Sequence, residues 1–211
     1  METTSKISKF FENNPTHLYS AGSSIIDAGV TPDVIFYIKS GRVRMYDLSS
    51  SGYKLTLNIL REGAFFALPW IYDNPNNFYF EALTDCKIIK STIPKTKEFI
   101  INDPDLLNSF LHRLTLGFDG IFRRLSVHMS GTAEKRIITE LLIEAWRFNK
   151  DDKGPKKIKI SLNDLTSNTG LARETVSREI SKMIDKKYIH KKGRTIFIDD
   201  IAQLEKVISE E

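Results

Sequence analysis

The spacing of apolar residues changes once along this 211-residue chain, and that change constrains the fold more than any other feature. Between residues 16 and 93, short runs such as VIFYIKSGRVRMYDL and YKLTLNIL alternate apolar with polar residues, as half-buried strands do. Ser40-Gly41 and Ser51-Gly52 lie between such runs, where tight turns would join neighbouring strands. Several short strands at this spacing predict a barrel or roll rather than a parallel sheet.

A long helix is predicted from about Asp103 to Met129, where apolar residues recur every three or four positions. One stripe consists of Leu107, Phe110, Leu114, Gly117, Ile121 and Leu125, and an adjoining stripe of Leu111, Phe118, Phe122 and Met129. A helix with two apolar stripes needs two surfaces to cover it. We expect the roll to cover one, and the same helix of a second chain to cover the other. The predicted dimer contacts are Phe110, Leu114, Gly117, Ile121 and Leu125, and the alternative is a core helix of a monomer.

Three domains of an α+β fold are predicted. They are a β-roll sensor domain over residues 1–102, a dimerisation helix with a hinge over residues 103–130, and a third domain over residues 131–211. Residues 130–132, Ser-Gly-Thr, break the helical pattern, so Gly131 is expected to serve as the hinge. A further short amphipathic helix near the N-terminus is expected to pack against the roll.

The basic charge of the chain is concentrated in one segment. Residues 132–198 carry 16 Lys/Arg and 9 Asp/Glu, whereas the whole chain has a net charge of only +4. Because cations that bind phosphates release counterions, a local excess of this size predicts a polyanionic partner. A basic surface that is merely solvated is the alternative.

Two short helices separated by a glycine are predicted inside this basic segment. Ser161-Leu-Asn-Asp164 matches the capping-box pattern, a hydroxyl three residues before a carboxylate, and so begins the first helix. Gly170 supplies the turn, because glycine adopts a positive φ without strain. The second helix is expected from about Ala172 to Lys186, and its predicted buried side is Val176, Ile180, Met183 and Ile184. This layout is that of a helix-turn-helix, whose second helix enters the major groove of DNA.

The exposed side of the second helix carries Arg173, Glu174, Ser177 and Arg178. An arginine can donate to guanine O6 and N7 together, a glutamate can accept from cytosine N4, and a serine lets the helix approach closely. These four residues are therefore the predicted base contacts. The alternative is a solvated helix stabilised by an ion pair between Glu174 and Arg178.

Contacts to DNA phosphates are predicted around this helix. After it, YIHKKGRTIFID is typical of a β-hairpin that turns at Lys192-Gly193 and forms a basic wing. Phosphate contacts position a protein on DNA without specifying sequence, and the predicted ones are Thr169, Thr175, Lys182, Lys192 and Arg194. A winged helix that binds protein rather than DNA is the alternative function.

The chain resembles the Crp/Fnr family of bacterial transcription regulators over nearly its whole length. The resemblance rests on FYIKSGRVRMY and LNILREGAFFA in the roll, on TAEKRIITELL, and most specifically on LNDLTSNTGLARETVSREISKMIDKKYI. It implies a cyclic-nucleotide-binding-like jelly roll, a winged helix-turn-helix and a homodimer on a palindrome of TGA-type half-sites. It also implies RNA polymerase as a partner, activation of transcription, and control by an effector in the roll.

The resemblance does not identify the effector of this chain. Cyclic-nucleotide binders of the family have Gly-Glu and then Arg-Ser in the segment that here reads GAFFALPWIYDNPNNFYFEA. Ala67-Leu68 stands in place of Gly-Glu, and no arginine lies between Arg61 and Arg113. Without a cation to pair the phosphate, cyclic AMP is not expected to bind. The N-terminal cysteine cluster of the FNR branch is also missing, so an iron–sulfur cluster is not expected.

Aromatic residues replace the phosphate-binding segment. Phe65, Trp70, Tyr72 and Phe80 are the predicted effector pocket, which would hold haem or an apolar small molecule. The alternative is that the rings fill the roll and no ligand binds. Cys86, the single cysteine, lies in a strand-like apolar run, which favours a buried structural thiol over a redox sensor.

Other function classes find little support in the composition. The chain lacks both the apolar run of about 20 residues that a membrane helix needs and the apolar core of a secretory signal, which predicts a cytoplasmic protein. A roll-fold enzyme of the cupin type would need clustered His and Glu ligands on its strands, and these strands offer none. Neither enzymatic activity nor a metal site is predicted.

Overall fold

The structure, a computed structural model, describes residues 2–67, 75–148, 155–193 and 195–209. The chain divides into two compact units, Met1–Phe118 and Asp119–Glu211. The domain bounds predicted at residues 102 and 130 stay a prediction. Within the described residues, no helix is both long and apolar enough to cross a membrane.

The first unit is built from two antiparallel sheets that form the predicted roll. Its elements are α1 (Glu2–Glu12), β1 (Thr16–Tyr19), β2 (Ser24–Ile26), β3 (Val34–Ser40), β4 (Arg42–Leu48), β5 (Lys54–Arg61), β6 (Phe65–Phe66), β7 (Tyr79–Ala82), β8 (Cys86–Thr92) and α2 (Ile93–Ile101). The strand orders are β1-β8-β3-β6 and β2-β7-β4-β5. One apolar cluster draws residues from both sheets, among them Ile38, Val43, Phe80 and Ile88.

The β3–β4 turn shows why the alternating pattern is punctuated by glycine. Gly41 has a φ of +99°, and a Cβ at this position would lie 2.5 Å from the Asp85 carbonyl oxygen and 2.6 Å from Cys86 Sγ. Only glycine therefore fits this turn. The predicted N-terminal helix also forms, as α1, and its Phe11 ring stacks on Tyr37 of β3 with 4.8 Å between the centroids.

The long helix α3 spans Pro104–Ser130, within a residue of the prediction. Its inward side includes Leu106 and Phe110, and the Phe110 ring stacks on Phe65 of the roll at 5.5 Å. The predicted dimer contact Phe110 thus packs within its own chain. Among the described side chains of α3, the large apolar ones that stay exposed are Leu107, Leu111, Leu114, Phe118, Phe122, Leu125 and Met129.

The second unit contains the predicted winged helix-turn-helix. After the end of α3 come α4 (Ala133–Phe148), β9 (Lys156–Lys159), α5 (Leu162–Thr169), α6 (Arg173–Asp185), β10 (His190–Lys192), β11 (Thr195–Ile198) and α7 (Ile201–Ser209). The strands form one antiparallel sheet in the order β10-β11-β9. The strand β9 begins at Lys156 and pairs with β11. The predicted α+β class, with roll, long helix and winged helix, is confirmed.

The corner between α3 and α4 is tied by polar contacts. Arg124 donates from Nε to Glu140 Oε1 at 2.6 Å and from Nη2 to Oε2 at 3.0 Å, and both residues are buried. Arg136 Nη2 donates to the His128 carbonyl oxygen at 3.0 Å. A Cβ at Gly131 would lie 2.6 Å from the Val127 carbonyl oxygen, so glycine is needed here for close packing. The hinge at Gly131 stays a prediction.

Candidate nucleic-acid interface

The turn between α5 and α6 forms as the sequence predicts. Ser161 Oγ accepts from the Asp164 backbone N–H at 3.0 Å, and Asp164 Oδ2 accepts from the Ser161 backbone N–H at 3.2 Å, which completes the capping box. Gly170 ends α5 in the left-handed region with φ of 65°, and its N–H donates to the Thr166 carbonyl oxygen. The direction in which α6 leaves is thereby fixed.

The buried side of α6 differs from the prediction at one residue. Val176, Ile180 and Met183 are buried, whereas Ile184 is 37% exposed, so its placement on the buried side is wrong. On a helix with about 100° per residue, Ile184 and Glu179 lie at the two edges of the arc that the other three define. Glu179 is the edge residue that becomes buried. Its carboxylate accepts from Lys182 Nζ at 2.9 Å.

The opposite side of α6 is open to solvent. The four predicted base contacts, Arg173, Glu174, Ser177 and Arg178, are all exposed there. Among the residues that the structure describes, no ion pair joins Glu174 to Arg178; Arg178 Nε instead lies 3.7 Å from Glu179 Oε1. The alternative of a helix held by an internal Glu174–Arg178 pair is therefore not supported.

Arg173 has a partner that the sequence pattern did not indicate. Its Nη1 donates to Asn163 Oδ1 of α5 at 2.9 Å, and both side chains are exposed. The two residues are ten positions apart and meet only because Gly170 folds α6 back across α5. The helical spacing within α5 or within α6 does not predict this contact.

The predicted phosphate contacts divide into three groups. The prediction for Thr169 is wrong, because this residue is fully buried. Its hydroxyl donates to the Leu165 carbonyl oxygen at 2.6 Å, as a threonine that faces the core commonly does with the preceding helical turn. Thr175 is half-buried, while Lys182 and Lys192 are exposed. Arg194 lies outside the described residues.

The wing carries cations that sequence reasoning missed. Lys157 and Lys159 of β9 are exposed and lie opposite Phe197 and Thr195 of β11, on the rungs that also hold His190 and Lys192 of β10. The His190 ring stacks on Phe197 at 4.7 Å. The alternation of Lys-Lys-Ile-Lys around a buried Ile158 was the available signal.

An ion pair links the end of α6 to α4. Lys186 Nζ donates to Glu134 Oε1 at 2.7 Å, and this hydrogen bond raises the pKa of Lys186 above its usual value. Together with the buried apolar side of α6, the contact attaches the helix that carries the candidate base contacts to the core of the second unit.

The predicted effector pocket is not assembled by its described members. Phe65 and Phe66 are adjacent in β6 and face opposite sides of the strand: Phe65 packs with Phe11 and Phe110, whereas Phe66 stacks on Phe80 at 5.1 Å inside the roll. Phe65 and Phe80 therefore do not share a pocket. Trp70 and Tyr72 lie outside the described residues.

Asn76 of the aromatic segment is tied to the backbone of the roll. Asn76 is buried, and its Nδ2 donates to the carbonyl oxygens of Asp27 at 2.9 Å and Val30 at 3.1 Å. Its Oδ1 accepts from the Phe78 N–H at 3.1 Å. These contacts use the amide to close a loop of the roll.

Cys86 behaves as a structural residue. The side chain is buried, its Sγ donates toward the carbonyl oxygens of Arg42 and Thr84, and burial raises the pKa of the thiol above its usual value. A buried thiol with a raised pKa is a poor nucleophile near neutral pH. Among the described residues, no three His, Cys, Asp or Glu side chains form a cluster that could hold a metal ion.

Known proteins resemble the chain in both units. Residues 16–102 match the cyclic nucleotide-binding domain family, and residues 135–207 match the Crp-like helix-turn-helix domain family. The transcriptional regulator SdrP of Thermus thermophilus is 24% identical over 192 residues, which cover 90% of this chain and 92% of SdrP. The cAMP-activated global transcriptional regulator CRP of Haemophilus influenzae is 24% identical over 186 residues, which cover 86% of this chain and 83% of that protein.

Solved structures share the fold at low sequence identity. A CooA variant from Carboxydothermus hydrogenoformans matches with a TM-score of 0.80 and 18% identity, covering 95% of this chain and 90% of that one. Both domain families match, the alignments to named regulators run through both, and α6 presents its arginines to solvent. The chain therefore belongs to the CRP/FNR family of transcription regulators.

Proposed function

We propose that this regulator binds DNA as a homodimer and recognises a palindrome of two TGA-type half-sites through Arg173, Glu174, Ser177 and Arg178 of each chain. The observation that carries the proposal is the exposed side of α6, where two guanidinium groups and a carboxylate stand on a helix fixed to a packed core. Such groups can distinguish G·C pairs in the major groove.

Dimerisation is supported by the outward side of α3. Leu107, Leu111, Leu114, Phe118, Ile121 and Leu125 follow the alternating three- and four-residue spacing of a coiled-coil seam. Five of these six side chains are large, apolar and exposed, with Leu114 at 39% and Leu125 at 53%. A second α3 would cover them, and RNA polymerase is the further partner that we propose.

Control by cyclic AMP is not part of the proposal. The stacked rings of Phe36, Phe66 and Phe80 occupy the interior of the roll. The Asn76 amide donates to the Asp27 carbonyl oxygen and so attaches its loop to the roll. This packing favours the alternative in which aromatic rings fill the roll over a pocket for haem or an apolar small molecule.

Replacing Arg178 with alanine is expected to weaken binding to the specific palindrome by about 1–3 kcal/mol and to relax the preference at one base pair of each half-site. Arg178 is exposed on α6, so its removal leaves the core intact. Fluorescence anisotropy on duplexes substituted at each position measures both effects. If the loss is equal on all sequences, Arg178 contacts phosphate and the base-contact role fails.

Replacing Lys192 with alanine should weaken specific and unrelated duplexes alike, because the wing is proposed to touch only phosphates. The plot of log affinity against log salt should become shallower by about one. The wild-type slope also decides between DNA and protein as the partner of the winged helix. A slope near zero would favour the protein-binding alternative.

Cyclic AMP at millimolar concentration is expected to leave DNA affinity unchanged. The described interior of the roll is apolar at Phe66 and Phe80, and it offers no pairing for a phosphate there. Anisotropy titrations with and without the nucleotide test this directly. A clear increase in DNA affinity on addition of cyclic AMP would show that the roll binds the nucleotide and would contradict this prediction.

A further inference from the structure

The first residue of the DNA-facing helix is held by a side chain from the helix before it. Arg173 begins α6, and its Nη1 donates to Oδ1 of Asn163, the second residue of α5, at 2.9 Å. The neighbouring carboxylate, Asp164, is engaged by Ser161 in the capping box. The amide of Asn163, rather than a carboxylate, therefore meets the guanidinium.

We propose that Asn163 is a positioning residue for sequence recognition, which orients the guanidinium of Arg173 for a guanine before DNA is bound. This inference rests on the proposed function, and it assigns to Asn163 a role through Arg173 rather than a contact of its own. An exposed arginine has several rotatable bonds, and ordering them on binding costs conformational entropy. A partner in the free protein removes part of that cost in advance.

The chemistry of the partner suits this role. A neutral amide oxygen uses one of the five donors of the guanidinium and leaves its charge uncompensated, so the remaining donors stay available for a planar, bidentate contact. A carboxylate at the same place would also accept from the guanidinium, but its negative charge would repel the phosphates of the DNA. Glu179, the carboxylate nearest to Arg178, instead accepts from Lys182 at 2.9 Å and lies 3.7 Å from Arg178.

The test is a double-mutant cycle on DNA binding with Asn163→Ala, Arg173→Ala and the double variant. Asn163→Ala is expected to weaken the specific palindrome by about threefold to tenfold, as for the loss of one hydrogen bond. It should also reduce discrimination at the base pair that Arg173 reads, with an unchanged salt slope. In the Arg173→Ala background, Asn163→Ala should change affinity by less than about twofold, because a residue that acts through another has no effect once its partner is gone.

Two further variants separate orientation from other roles. Asn163→Asp keeps the acceptor oxygen and should retain discrimination at that base pair, although its negative charge weakens all duplexes. Gln203→Ala removes an exposed helical amide on α7 and should match wild type in every titration. Asn163 is exposed, so circular dichroism spectra and melting temperatures should stay close to wild type for all of these chains.

The outcomes against the inference are distinct from those against the proposed function. Additive effects in the cycle, or a loss for Asn163→Ala that is equal on specific and unrelated duplexes, would mean that Asn163 touches DNA itself and would overturn the inference. Wild-type affinity and discrimination in Asn163→Ala would overturn it as well. If the wild-type chain binds no palindrome specifically, the proposed function fails first and the inference with it.

Discussion

A chain with aspartate at both Leu114 and Leu125 is expected to be a monomer that binds a palindromic duplex about 10²- to 10⁴-fold more weakly than wild type. In a dimer the second half-site is bound intramolecularly, and the advantage that a monomer loses is of that order. Each aspartate would lie in the proposed seam, where a partner helix would bury its charge without a counterion. Size-exclusion chromatography with light scattering measures the mass, and anisotropy measures the affinity.

The matched control places the same charges on another side of α3. His112 and Ser126 are exposed and lie off the proposed seam, so His112→Asp with Ser126→Asp should leave the mass and the DNA affinity of the dimer nearly unchanged. The interface would be assigned elsewhere if the variant at Leu114 and Leu125 stayed dimeric. A monomer that kept wild-type affinity would instead remove the need for two half-sites.

The two stripes of α3 show what periodicity can and cannot predict. The spacing correctly indicated a helix with more apolar surface than one neighbour could cover, and the helix ends where predicted. It did not indicate which residues face inward, because neighbouring stripes of one helix carry equally apolar side chains. Phe110 is predicted to contact the partner chain, but its ring stacks on Phe65 of the roll, with 5.5 Å between the ring centroids. That contact depends on a strand 45 positions earlier in the sequence.

The helix-turn-helix was predictable because most of its determinants are local. The capping box at Ser161, the turn at Gly170 and the apolar positions of α6 are all set within some twenty residues. The errors arise at the edges of this pattern. Thr169 carries a hydroxyl but faces the core, and the contact between Asn163 and Arg173 crosses between two helices, so the pattern of one helix does not predict it.

The aromatic segment of the roll was misread for a different reason. The sequence shows that the segment is rich in aromatic residues, but a strand sends adjacent residues to opposite faces. Phe65 and Phe80 therefore belong to different clusters although both are aromatic and close to the same segment. The residue types predict that the region is aromatic, whereas the strand register determines which rings pack against each other.

Arg124→Ala is expected to lower the free energy of unfolding of the second unit by about 3–5 kcal/mol, because it leaves the Glu140 carboxylate buried without its cation. Both side chains are nearly inaccessible, with exposed fractions of 6% and 2%, and the pair is bidentate. Urea unfolding followed by Trp146 fluorescence reports on this unit when Trp70, the other tryptophan, is replaced with phenylalanine. All stability variants therefore carry Trp70→Phe.

An exposed ion pair on the same helix provides the comparison that isolates burial. Arg123 Nε and Asp119 Oδ2 are 2.8 Å apart, but their exposed fractions are 48% and 59%, so Asp119→Ala should cost less than about 1 kcal/mol. Replacing Arg124 and Glu140 together with leucine should cost less than Arg124→Ala alone, because no uncompensated charge then remains in the core. Equal costs for Arg124→Ala and Asp119→Ala would show that water reaches Glu140 and that the corner between α3 and α4 is not held by a buried pair.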